Sequence, residues 1–175
     1  MDFIGLVNTR QSCRNFDAAK EVTKEDIFAC LEAARLAPSA CNAQPMRFSV
    51  CIGETAAQAA DCIHSMGLNG FVKDAPCFIV VSEDNYNATS SLGSRVKGQD
   101  FRSIDMGIAV AHLTLAATET GLASCILGWF DEKKLQRLLK IKKRIRLVIA
   151  LGYAKDGDII RRKVRKPMED IADFQ

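Results

Sequence analysis

"SIDMGIAVAHLTLAATETG", residues 103–121, is the stretch on which the fold turns. It is long enough for a helix and apolar on nearly every side, with small residues at Gly107 and Ala111. A helix without a polar stripe has to be enclosed. In a chain of 175 residues few other elements can wrap it, so a second subunit is a natural cover. Downstream, "LASCILGWF" (122–130) reads as a strand, and Asp131 caps a helix through Leu139. "IRLVIALGYA" (145–154) is a near-continuous apolar strand, the kind buried on both faces. Upstream, "RFSVCI" (47–52) and "CFIVVS" (77–82) read as strands, with a helical segment near 55–66 between them. Thr23, followed three residues on by Asp26, opens a helix striped by Ile27, Leu31 and Ala34 and ended by Pro38. Residues 83–100 are polar and glycine-containing, a surface loop or lid, and the tail from Lys155 is basic with no core of its own. Strands and helices mix without the even alternation of a doubly wound sheet. The expected fold is therefore α+β, a mixed central sheet flanked by helices, in a single domain over 1–175.

Composition sets further bounds. With 48% hydrophobic residues the chain can bury a sizeable core. A formal charge of +3, from 24 basic and 21 acidic residues, is too mild to indicate nucleic acid as a partner, although "KKRIR" (142–146) and "RRKVRK" (161–166) concentrate positive charge in the last third. No stretch is long and apolar enough to span a bilayer, and no signal-peptide pattern is visible, so no membrane association is expected. Seven cysteines without a CxxC pair, mostly among apolar neighbours, fit a reducing cytoplasm. The two histidines, His64 and His112, have no ligand spacing, and no metal is expected. Neither GxGxxG nor GxxxxGK[ST] occurs, so Rossmann and P-loop nucleotide sites are unsupported.

Three polar clusters could carry chemistry. "TRQSCRNF" (9–16) gathers two arginines and several amides and hydroxyls just after a short apolar helix. Cations there could cap the helix dipole. Alternatively, Arg10, Ser12 and Arg14, alternating along an extended segment, could converge on one phosphate. "APSACNAQP" (37–45) is either an ordinary helix-to-strand connection or a fixed loop presenting Asn42 and Gln44. In "ILGWF" (126–130), Gly128 is either a strand bend or a place where a flat ligand approaches the backbone. Cys41 has no partner nearby in sequence that would lower its pKa, and neither Ser12 nor Ser39 has a recognisable histidine base.

Taken together and in order, "RxSxRxF" (10–16), "PSxxNxQP" (38–45), "DMGIAVAHLTLAATETGL" (105–122), "ILGWFD" (126–131) and "KVRKP" (163–167) resemble the nitroreductase family of FMN-dependent oxidoreductases. The resemblance covers nearly the whole chain. It implies that Arg10, Gln11, Ser12 and Arg14 contact the flavin, with Arg14 tuning the reduced ring, and that Lys163 and Arg165 close over its phosphate. It implies that Pro38, Ser39, Ala40, Asn42 and Gln44 reach the flavin of the other subunit. A backbone amide at Leu127 or Gly128 would face the ring, and Asn69 is a candidate for its pyrimidine edge. Met46 departs from the tryptophan that often follows "QP" in the family. The implied protein is an obligate homodimer whose tail, 155–175, packs on the partner subunit. NAD(P)H would reduce bound FMN and a small acceptor (a nitroaromatic, quinone or flavin) would reoxidise it in a ping-pong cycle, with no catalytic side chain required. The alternative is an FMN-binding carrier or redox sensor without significant turnover.

Overall fold

The computed structural model describes residues 2–64, 67–86 and 96–175. Helix α1 (Phe3–Thr9) is capped by Asp2, whose carboxylate accepts the Gly5 amide at 2.6 Å. Helix α2 (Lys24–Arg35) begins as its sequence dictates. The Thr23 hydroxyl accepts the Asp26 amide at 3.1 Å and donates to the Asp26 carboxylate at 2.7 Å. Strand β1 (Met46–Ile52), helix α3 (Gly53–Ile63) and strand β2 (Cys77–Glu83) follow. Then come α4 (Phe101–Glu119), β3 (Ala123–Leu127), α5 (Glu132–Leu139, capped by Asp131) and β4 (Ile145–Gly152). The expected lid falls partly on residues 87–95, which lie outside the described residues.

The sheet order is β1-β2-β4-β3, and every pairing of these four strands is antiparallel. The expectation of a mixed sheet narrows to one parallel bridge, Ser12 with Ser124, at the free edge of β3. Alternation along the two central strands divides the core. Phe78, Val80, Val148 and Ala150 face α3 and α5, while Cys77, Ile79, Val81, Ile149 and Leu151 face α2 and α4. Each fully buried Val, Ile, Leu or Phe among them contributes about 1.5–3 kcal/mol of apolar transfer.

Helix α4 is half enclosed by its own chain. Met106, Ala109, Val110, Leu113 and Ala117 are buried against the sheet and α2, whereas Ile104, Gly107 and Ala111 are exposed on the other side. Among the described residues, no helix is long and apolar enough to cross a membrane.

Gly152, at the end of β4, is packed so closely that a Cβ there would lie 2.7 Å from Pro76 Cδ and 3.0 Å from Phe16 Cδ1. Phe16 is fully buried and bridged to Ala154. That contact anchors the extended segment 10–16 to the sheet.

Candidate functional site

The segment after α1 runs along the edge of β3. The Cys13 amide donates to the Ser124 carbonyl at 2.9 Å, and the chain rejoins the end of β4 where the Asp17 amide meets the Tyr153 carbonyl at 2.8 Å. Extended backbone sends alternate side chains to opposite sides. Cys13 turns inward and is 1% exposed, while Arg10, Ser12 and Arg14 turn toward a surface cleft of about 350 Å³. The opposite wall is the C-terminal tail, with Arg161, Arg162, Lys163 and Arg165.

The tail is fastened there by side chains. Gln11 donates its amide to the Ile159 carbonyl at 3.2 Å and accepts the Arg161 amide at 3.0 Å. Lys163 Nζ donates to the Arg10 carbonyl at 2.6 Å, and the Arg161 guanidinium donates to the Ser12 carbonyl at 2.6 Å. Gln11 also lines the cleft, but both ends of its side-chain amide are engaged by the tail. The first half of the tail thus lies on its own chain, and residues 164–175 are exposed.

Six cationic side chains share this cleft. Among the described residues, the one carboxylate within ion-pair distance of any of them is Asp158, 3.8 Å from Arg161. Burial, and then the charges of Arg10, Arg165 and Arg161, hold the Lys163 ammonium below its ordinary pKa. A pocket in which six cations face a single carboxylate is chemically fitted to a phosphate dianion. The Ser12–Ser124 bridge is parallel, so Arg14 is the member of the trio displaced toward Gly128. Gly128 is exposed at the end of β3, and a Cβ there would meet nothing within 4 Å. Leu127, beside it, is buried, and the Trp129 carbonyl accepts the Asn69 side-chain amide at 3.0 Å. Asn69 therefore braces this turn.

The 38–45 loop lies elsewhere on the chain. Pro38, Ser39, Ala40, Asn42 and Gln44 do not line the cationic cleft; Ser39 and Gln44 border a separate hollow of about 420 Å³ with Arg35, Met46 and Arg47. The loop is held in an uncommon shape, with Cys41, Asn42 and Gln44 at φ of +50°, +50° and +47°. Each such residue costs of order 1–2 kcal/mol in backbone conformation. Local bonds sustain it: Ser39 Oγ accepts the Gln44 amide at 3.0 Å, and the Gln44 side chain donates to Asn42 Oδ1 at 3.1 Å. Asp105 of α4, 3% exposed, accepts the Ala40 amide at 3.0 Å. Reading the sequence missed Asp105, and also Arg161 and Arg162; the arginines were visible only as part of a basic run.

Comparisons with known proteins agree with this architecture. Residues 7–153 match the family model described as "Nitroreductase family". An oxygen-insensitive NADPH nitroreductase of Helicobacter pylori is 27% identical, covering 84% of this chain and 85% of its own length. A nitroreductase family protein from Streptococcus pneumoniae superposes with a TM-score of 0.82 at 24% identity, covering 99% of this chain and 100% of that one. A solved structure from Exiguobacterium sibiricum, described as a nitroreductase in complex with FMN, is 25% identical with a TM-score of 0.80, covering 100% of this chain and 98% of that one. The chain belongs to the nitroreductase family, and so to a family of oxidoreductases.

Proposed function

We propose that this chain is an FMN-dependent NAD(P)H oxidoreductase whose cationic cleft holds the flavin phosphate. The observation that carries the reading is the meeting of Arg10, Ser12 and Arg14 with Lys163 and Arg165, drawn from opposite ends of the sequence into one cleft. The FMN bound by the Exiguobacterium protein and the nitroreductase activity named for the Helicobacter one support it. Bound FMN would supply the redox chemistry, as hydride acceptor from NAD(P)H and electron donor to a nitroaromatic, quinone or flavin in a ping-pong cycle.

The residues of the chain bind, orient and shield. Arg10, Lys163 and Arg165 neutralise the phosphate, and the Ser12 hydroxyl adds a donor. Arg14, displaced along the strand toward Gly128, places its charge at the ring end of the site. The open space over Gly128 leaves room for a planar group against the backbone. The strained 38–44 loop completes the site of a twofold-related copy, with the exposed face of α4 buried between the two subunits. Pro38, Ser39, Ala40, Asn42 and Gln44 then serve the partner's flavin, which accounts for their distance from the cleft of their own chain. The seven free cysteines, six of them buried, suit a reducing cytoplasm.

The visible spectrum of the purified protein is the direct test, with flavin bands near equimolar with protein expected. Arg10→Ala and Arg165→Ala should each weaken FMN binding roughly ten- to a hundred-fold, the loss of one charge-assisted contact worth about 1.5–3 kcal/mol. Unchanged retention in both variants removes the phosphate assignment. Bound flavin without turnover on either pyridine nucleotide and any acceptor would leave a carrier or sensor instead.

A further inference from the structure

The cleft carries more positive charge than one flavin phosphate can use. Arg10, Arg14, Arg161, Arg162, Lys163 and Arg165 make six cations, and Asp158 offsets one of them. An FMN phosphate dianion offsets two more, so three positive charges remain. Burial first, and then the charges of Arg10, Arg165 and Arg161, hold the Lys163 ammonium below its ordinary pKa, in keeping with that crowding. The surplus is also fixed in place rather than left on a loose tail. Gln11 grips the backbone on both sides of residue 160, and Arg161 is further held by the Ser12 carbonyl and Asp158. Arg162 follows at once, is exposed, and among the described residues has no hydrogen bond or ion pair of its own.

We propose that Arg161 and Arg162 form a second anion subsite beside the flavin phosphate and that it takes the 2′-phosphate of NADPH. This rests on the flavin reading above, since it is the flavin that gives a pyridine nucleotide reason to lie here. A phosphate monoester carries two negative charges on terminal oxygens that suit a guanidinium fork, whereas each phosphorus of the diphosphate linkage carries one. NADH has the diphosphate alone. NADPH adds the monoester, and a cleft with three spare cations discriminates in its favour.

The test uses the FMN-loaded protein and two probes that cannot reduce it, NADP+ and NAD+, titrated by calorimetry. NADP+ should bind at least about tenfold more tightly, in keeping with one charge-assisted contact. Arg162→Gln should bring the two probes close to parity while FMN content stays at the wild-type level. Equal affinities in the wild-type protein overturn the proposal, as does an NADP+ preference that survives Arg162→Gln. Loss of FMN from that variant, or release of flavin fluorescence during the titration, would assign these arginines to the flavin phosphate and overturn it too. A protein that takes up no FMN refutes the functional reading alone. The same titration on that protein still decides the subsite, which an Arg162-dependent preference keeps and its absence removes.

Discussion

Replacing Gly152 with alanine tests the link between the core and the cleft. The new methyl group would lie 2.7 Å from Pro76 Cδ, 3.1 Å from Pro76 Cγ and 3.0 Å from Phe16 Cδ1. The proline ring cannot turn away, and it immediately precedes β2, where Cys77 is paired with Leu151. Phe16 is the softer neighbour, but it is fully buried and stacked with Phe71 at 6.4 Å between ring centroids. Overpacking of this kind costs about 1–3 kcal/mol. At roughly 2–4 °C per kcal/mol for a chain of this size, Tm should fall by about 2–12 °C. The same displacement should move Phe16, and with it Arg14 and Ser12 two and four residues back, so FMN affinity should drop even though no flavin contact has been changed. Thermal melting of the flavin-free protein separates the first effect from the second, which flavin titration reads. A variant that melts within a degree of wild type would refute the packing argument. One that melts lower but binds FMN as tightly would show that Phe16 does not govern the cleft.

Other outcomes follow from the same geometry. Gly107→Leu adds a large side chain to the exposed face of α4, where a Cβ meets nothing within 4 Å; if the proposed dimer forms through this face, sedimentation should show the variant as a monomer, and a dimeric variant would move the interface elsewhere. Cys41→Ser should keep most turnover with FMN bound while Arg14→Ala should not, and the reverse pattern would make the thiol the reactive group. Lys163 lies below its ordinary pKa of 10.5. A bound phosphate raises it, so FMN binding should take up protons in the alkaline window beneath 10.5 and weaken as pH climbs through it, as calorimetry in buffers of different ionisation enthalpy can measure. In the flavin-free protein the sign reverses, because a depressed lysine opposes folding while charged, and stability should rise toward pH 10.5.

The parts of this fold that local chemistry decides were legible in the sequence. Thr23 and Asp131 cap the helices they open, and the apolar runs at 47–52, 77–82 and 145–154 fall in strands, the last of which ends at Gly152. Strand order was not legible, because β2 pairs with β4 across more than sixty residues and nothing local encodes that choice. The cleft was half legible. Alternation placed Arg10, Ser12 and Arg14 together, but the clasp of Gln11 on the tail joins residues 148 positions apart. Arg161 and Arg162 looked like part of a solvated run, which is the usual fate of such charges. The left-handed backbone at Cys41 had no signal, since cysteine carries none of the local preference for that conformation that glycine or asparagine does.

The clasp between Gln11 and residues 159–161 also sets a clock on biosynthesis. The wall at residues 10–14 leaves the ribosome well before the wall at residues 161–165. At about 5–20 residues per second, the 148 positions between Gln11 and Ile159 take roughly 7–30 s to translate. Through that interval the nascent chain holds Arg10, Ser12 and Arg14 without the tail that faces them. The cleft therefore closes only once residues 159–165 have emerged, and a variant truncated before Ile159 should retain no flavin however well its sheet has formed.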